Sequence, residues 1–257
     1  MSFPERKKDI LRILDEFENL SVFEIAEKLS ISPATVRRDL TGLAAEGLLI
    51  RTHGGAMKAD GLPFTSFSNK QQANDTLKQE IGRIAAGYVN SGDIIFMDCG
   101  STVFTMCPHL KKTGALTIIT NSLPVVAELM NTPGIKINLV GGELDASRRA
   151  VHGDVAIQHI NNYHAAKAFI GTDGLTSEKG LTSHSEKEAG ITRAYCGNAD
   201  SAYLLCDSSK IGKDAYLKSV PLSAVKYLVT DRALSARLKS QISKKGVSVI
   251  QAVEKAG

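Results

Sequence analysis

The N-terminal stretch of the chain carries apolar residues at a period of three to four. Ile10, Ile13, Leu14 and Phe17 fall at i, i+3, i+4 and i+7, and Val22, Ile25, Ala26 and Leu29 repeat that spacing. Each set lines one face of a helix. Asn19-Leu20-Ser21 breaks the pattern between them, and Ser21 stands where a helix cap is expected. Ser32-Pro33 opens a third helix, with serine as the cap and proline at the first helical position. Along that helix Val36, Leu40 and Leu43 share one face, while Ala34, Arg37, Arg38 and Thr41 share the opposite one.

After Gly47 the period shortens. Leu48–His53 reads as a strand, Gly54-Gly55 as a tight turn and Ala56–Lys58 as a return strand. Three helices and a hairpin make a winged helix-turn-helix over 1–58. Residues 59–76 hold Gly61, Pro63 and two serines with little apolar period, and are expected to be a linker. From Leu77 onward, helical stretches alternate with short apolar runs: Ile94–Met97, Leu116–Thr120, Ile135–Val140, Ala168–Ile170, Ala202–Cys206, Tyr227–Thr230 and Val247–Ile250. Runs apolar on both faces and separated by helices predict buried, mostly parallel strands. The second domain, 77–257, is therefore expected to be an open α/β sheet with helices on both faces. An amphipathic helix is expected over Ala233–Lys245.

Charge sharpens this picture at one place. The chain carries 31 Lys/Arg and 27 Asp/Glu, a net charge of +4. Residues 1–31 hold five basic and seven acidic residues, and residues 32–58 hold four and two. Positive charge thus gathers on the third helix and the hairpin, as a nucleic-acid reader requires. Hydrophobic residues at 43% and charged residues at 23% are ordinary for a globular chain and argue against disorder. There is no signal-peptide core and no apolar run of the roughly 20 residues that cross a bilayer. Cys99, Cys107, Cys196 and Cys206 form no CxxC pair, and the histidines show no metal-ligand spacing. A cytoplasmic protein with reduced thiols, no metal, no cofactor and no membrane partner is expected.

The third helix has the build of a recognition helix. Its apolar seam anchors it, and its two arginines face outward beside small residues that permit close approach to a major groove. Ser32, Ala34, Thr35, Arg37, Arg38 and Thr41, with Arg51 and His53 on the hairpin, are the candidate DNA contacts. The arginines suit either guanine edges or phosphates, and the sequence does not separate the two roles. The run Thr35-Val36-Arg37-Arg38-Asp39-Leu40, then Gly47-Leu48-Leu49 and Arg51-Thr52-His53-Gly54-Gly55-Ala56, resembles the DeoR family of bacterial regulators.

Strand ends in the second half are rich in small polar groups. Asp98-Cys99-Gly100-Ser101-Thr102 precedes a helical stretch, Val103–Leu110, and has the build of a phosphate-binding turn. Thr120-Asn121-Ser122, Gly141-Gly142-Glu143, Gly171-Thr172-Asp173-Gly174 and Asp207-Ser208-Ser209-Lys210 end the following strands, which places them on one rim of a pocket. Lys210 offers a point charge for phosphate, and Asp98 and Asp173 offer acceptors for hydroxyls. In order, these motifs resemble the sensor domain of the same family, which is similar in fold to ribose-5-phosphate isomerase and glucosamine-6-phosphate deaminase.

The resemblance implies a phosphorylated sugar, or a related phosphometabolite, as inducer. It puts Gly100, Ser101, Thr102 and Lys210 at the phosphate and Asn121, Asp173 and Glu188 at the sugar. It also implies repression of a carbohydrate operon with operator DNA as partner; a homo-oligomer, dimer or tetramer, is expected because helix-turn-helix proteins read paired half-sites with matching symmetry. Cys99 departs from the family, where a small hydroxyl residue is common, and the family's basic pair ahead of the domain corresponds to Lys70 and Lys78.

Two other readings are open. One is a phosphosugar isomerase or deaminase with an appended DNA-binding domain. Against it, Asp173-Gly174 is followed by Leu175-Thr176, without the second Asp of the isomerase acid/base set, and Glu186 or Glu188 is left as a lone base. No catalytic residue is therefore expected. The other is a winged helix used for protein contact, with no operator.

Overall fold

The computed structural model describes residues 3–17, 19–45, 48–52, 54–58 and 67–252. The chain divides into two compact units, 1–70 and 71–257.

In the first unit, α1 (Phe3–Glu16), β1 (Asn19–Ser21), α2 (Val22–Leu29), α3 (Pro33–Ala45), β2 (Leu49–Thr52) and β3 (Gly55–Lys58) follow in order. Ile10, Leu14, Val22, Ile25, Val36, Leu40 and Leu43 are buried together. Each contributes about 1.5–3 kcal/mol by leaving water. Ser21 caps α2 in a reciprocal box: its hydroxyl accepts from the Glu24 N–H, and the Glu24 carboxylate accepts from the Ser21 N–H at 2.7 Å. Phe17 departs from the expected helical face. It lies past the end of α1, exposed, with the Lys28 ammonium 4.1 Å from its ring centre.

The expected break at Asn19–Ser21 is a third strand. It pairs antiparallel with β3, in the order β1-β3-β2. Gly55 makes this pairing possible, because a Cβ there would sit 2.0 Å from the Leu20 carbonyl oxygen.

Of the stretch expected as linker, 59–66 lie outside the described residues. The rest is largely helical: α4 (Phe67–Gln72) straddles the division between the units, and α5 (Asp75–Ala86) begins within the expected linker.

The second unit continues with β4 (Ile94–Met97), α6 (Ser101–Phe104), α7 (Cys107–Leu110), β5 (Leu116–Thr120), α8 (Leu123–Leu129) and β6 (Ile135–Leu139). A hairpin of β7 (Glu143–Asp145) and β8 (Ala150–His152) leads into α9 (Asp154–Ile160) and β9 (Ala165–Ile170). Then come β10 (Gly174–Thr176), β11 (Gly180–Ser183), α10 (Glu186–Gly197), β12 (Ala199–Leu205), a 3-10 turn at Ser208–Lys210, β13 (Leu217–Val220), β14 (Tyr227–Thr230), α11 (Ala236–Ser243) and β15 (Ser248–Gln251).

Seven strands form one parallel sheet in the order β15-β14-β12-β9-β4-β5-β6. Alternate residues of its central strands feed two cores. Ile95, Met97, Phe169 and Leu205 pack with α5, α6, α7 and α8, while Phe96, Ala168, Ile170 and Leu204 pack with α9 and α10. A smaller antiparallel sheet, β10-β11-β13, lies apart from the main one. The chain runs outward from β4 in both directions, so the β4/β9 boundary is the switch point of the sheet. Ligands of open α/β folds bind outside the carboxyl ends of the strands at such a point.

Candidate functional site

Helix α3 presents the arrangement its sequence requires. Val36, Leu40 and Leu43 are fully buried, and Arg37 and Arg38 are exposed, as are Ser32, Ala34, Thr41 and Arg51; Thr35 is half-buried. Ser32 caps the helix, its hydroxyl accepting from the Thr35 N–H at 3.2 Å. The Arg37 guanidinium lies 5.8 Å from the centre of the exposed Phe23 ring on α2, which holds it across the helix-turn-helix surface. Arg51 reaches from β2 to α3, donating to Thr41 Oγ1 at 2.9 Å and to the Arg37 carbonyl at 3.2 Å. Thr41 in turn donates to the Arg37 carbonyl at 2.8 Å. These two candidate DNA contacts therefore also latch the hairpin to the helix. His53 lies outside the described residues.

Asp39 is a site residue that sequence reasoning did not single out. It is buried and accepts two bonds from Arg6 of α1, at 2.6 and 3.2 Å. Its signal was present, since Val36, Asp39, Leu40 and Leu43 run at i, i+3, i+4 and i+7 on the buried face. The pair fixes α1 to the inner side of α3, opposite the two exposed arginines.

In the second unit, Asp98 ends β4 and joins it to β9. One carboxylate oxygen accepts the Gly100 N–H and the other the Gly171 N–H, each at 2.6 Å. Burial lifts its pKa to about 6 against the lowering effect of those two bonds. Both oxygens thus serve the backbone of the switch point, a bracing task that the expected hydroxyl-acceptor role did not foresee. Asn121 is also committed inside the fold: fully buried, it donates to the Val151 carbonyl at 3.0 Å and accepts from the Tyr195 hydroxyl at 3.3 Å.

Ser101 and Thr102 are buried at the start of α6, and Gly100 caps it. The expected helix over Val103–Leu110 is two single turns, α6 and α7.

Around this centre the remaining strand ends bring charge. The half-buried Lys210 ammonium donates to the Thr172 carbonyl at the end of β9, at 3.0 Å. Asp173 accepts from the Ser183 hydroxyl at 3.3 Å and the His184 N–H at 3.0 Å. Glu188, in the first turn of α10, pairs with Arg148 from the turn of the β7–β8 hairpin. The Arg148 guanidinium is buried, and its pKa is raised by Glu188, Cys99 and Asp173 against the opposing effect of burial. His152, at the end of β8, is buried and has a lowered pKa, mainly from desolvation, with its Nε2 4.0 Å from Cys99 Sγ.

Arg148, His152 and Cys99 were not candidates in the sequence. The hairpin that delivers the first two carries no motif, and only the departure at Cys99 marked the spot. The result is an edge of strand ends that carries two cations, Lys210 and Arg148, and the carboxylates of Asp173 and Glu188 near one switch point. That edge suits a small ligand with an anionic group and hydroxyls.

Among the described residues no helix is long and apolar enough to cross a membrane. The DeoR-like helix-turn-helix domain matches residues 6–60 and the DeoR C terminal sensor domain residues 73–232. The chain is 32% identical to the HTH-type transcriptional repressor GlcR of Bacillus subtilis, over 96% of this chain and 95% of that protein. It is 32% identical to the lactose phosphotransferase system repressor of Streptococcus mutans, over 88% and 91%. It is 29% identical to the glycerol-3-phosphate regulon repressor of Escherichia coli, over 90% and 92%. The chain belongs to the DeoR family, and it is a DNA-binding transcriptional regulator rather than an enzyme.

Proposed function

We propose that this regulator is a cytoplasmic repressor of a carbohydrate-catabolic operon, released from its operator by a phosphorylated sugar. One observation carries the reading: Arg37 and Arg38 stand exposed over a seam whose three apolar residues are wholly buried. Residues 1–58 read the operator and 77–257 sense the effector, with 59–76 joining them. Ser32, Ala34, Thr35, Arg37, Arg38, Thr41, Arg51 and His53 form the DNA face. A homo-oligomer, dimer or tetramer, matches two half-sites.

On the effector side, Gly100, Ser101, Thr102 and Lys210 take the phosphate. Asp173 and Glu188 take hydroxyls, while Asp98 and Asn121 act from behind by holding the strand ends in place. The names of the relatives support a sugar-linked regulon, since one is a lactose phosphotransferase system repressor and another a glycerol-3-phosphate regulon repressor.

The test is fluorescence anisotropy of the full chain on DNA from its own upstream region, with competitor DNA and a panel of aldose, ketose and aminosugar phosphates. Specific binding that one phosphate weakens, and its unphosphorylated sugar does not, is the expected result. Binding abolished by competitor, or unaffected by every phosphate, would overturn it. Turnover of any of these sugars at enzyme rates would instead favour the isomerase reading.

A further inference from the structure

Cys99, His152 and Glu188 come from three different elements: the turn after β4, the end of β8 and the first turn of α10. Their donor atoms nonetheless lie within 4.8 Å of one another. We propose that they form a binding site for one zinc-class divalent cation per chain. This goes beyond the effector reading and reassigns one of its residues: the Glu188 carboxylate holds the ion instead of a ligand hydroxyl, and the other effector contacts are untouched.

The chemistry of the set argues for zinc over harder ions. Thiolate, imidazole and carboxylate are its ordinary ligands, and three protein donors with an open fourth position is a common coordination. Calcium and magnesium take oxygen ligands and would not select a thiolate and an imidazole. Bonds of about 2.0–2.3 Å in a tetrahedron put neighbouring donors about 3.3–3.8 Å apart. The Sγ to Nε2 distance of 4.0 Å is already close to that, and the Glu188 carboxylate, within 4.8 Å of both, has to move in further.

His152 is placed to serve as a ligand: its ring is 1% exposed and its Nε2 is turned toward Cys99, while Nδ1, on the other side of the ring, has no hydrogen-bond partner and would need a water as acceptor when the ion binds. A buried imidazole is thus held beside a thiol and is not tied to the backbone.

Charge closes as well. Thiolate and carboxylate together balance a dication, and Arg148, paired with Glu188, orients that carboxylate from outside the coordination sphere. The positive charge of Arg148 is answered in turn by nearby Asp173. Cys99 is half-buried and the Glu188 side chain is 15% exposed, so an ion can enter from solvent.

The experiment is a cobalt titration of the full-length reduced protein, followed by zinc displacement. A near-ultraviolet thiolate-to-cobalt charge-transfer band saturating at one ion per chain, and bleached by zinc, is expected. Cys99→Ser should abolish the band, and His152→Gln should weaken cobalt binding by at least about 100-fold, the upper end for loss of a mere outer partner. Cys196→Ser should change neither. Should the variants misfold, the wild-type chain still decides: zinc should protect Cys99, relative to Cys196, from alkylation in peptide mass spectrometry. No charge-transfer band, or no protection, overturns the proposal. Because operator release by sugar phosphates is measured separately, that failure would leave the effector reading standing, and the reverse outcome would leave the metal site standing.

Discussion

Gly82 shows how little room single residues have in the sensor domain. A Cβ there would lie 2.1 Å from Thr105 Oγ1 and 2.6 Å from the Thr105 carbonyl carbon. Thr105 is itself fixed, its hydroxyl bonding to the carbonyls of Lys78 at 2.8 Å and Thr102 at 2.6 Å. Gly82→Ala should gain about 1 kcal/mol of helix propensity and lose about 1–3 kcal/mol to overpacking. A net fall in the urea midpoint is expected, and a rise would mean that α5 and α6 are not in backbone contact. Arg148 is constrained by charge rather than by volume. Arg148→Met strands Glu188 in a half-buried, acid-rich corner, and breaking such a pair costs about 3–5 kcal/mol. The double variant Arg148→Met/Glu188→Met should recover most of that loss in the same urea titration; an additive double variant would show the pair to be uncoupled. None of this was visible in the chain. Arg148 sits in a turn beside the exposed Arg149, and nothing local tells which arginine turns inward.

At the scale of elements, α3 on the proposed reading separates folding from recognition along its two faces. Arg37 and Arg38 are exposed, so Arg37→Ala and Arg38→Ala should leave the melting transition unchanged. Each should weaken operator binding by about 1–3 kcal/mol, the range for a good base contact. Leu40→Ala should do the opposite first, destabilising the first unit by about 2–5 kcal/mol. Anisotropy and thermal melts on the same samples distinguish the two faces, and wild-type affinity in both arginine variants would place recognition elsewhere. This helix was readable because its period, cap and charge agree within thirteen residues. Two other elements were not readable, for different reasons. β1 is three residues long and exists only through its pairing with β3, far along the chain. The helix expected over Val103–Leu110 is cut by Pro108, which has no N–H to give the Phe104 carbonyl and whose ring crowds it. Thr105, by bonding backward to Thr102 and across to Lys78, offers the chain an alternative to a continued helix.

For the whole molecule, seven apolar runs foretold seven strands, but their order was beyond the sequence, since it is set by which helices cover which face. That order matters because it puts the switch point between β4 and β9 and so brings Asp98, Gly171 and Lys210 to one place. On the proposed assignment, Lys210 is the residue through which effector binding is best separated from DNA binding. Its ammonium rests on the Thr172 carbonyl and is half-buried, so its loss removes one neutral-acceptor bond and no core packing. The same turn is held from the other side by Asn74, which donates to Asp207 at 3.2 Å and to Ser209 at 3.1 Å just ahead of α5. A phosphate that draws on Lys210 therefore acts on a turn tied to the entry of the sensor domain. Coupling of this kind is typically about 1–3 kcal/mol, or roughly 5–150-fold in affinity. Lys210→Ala should keep operator affinity in the absence of effector while lowering the fold-weakening at saturating sugar phosphate and shifting its midpoint upward. Linkage requires the reciprocal result too: operator DNA should depress effector affinity less in the variant than in the wild type. Normal release with an unshifted midpoint would remove Lys210 from the pocket and leave the phosphate to Arg148 or to the backbone of Gly100–Thr102.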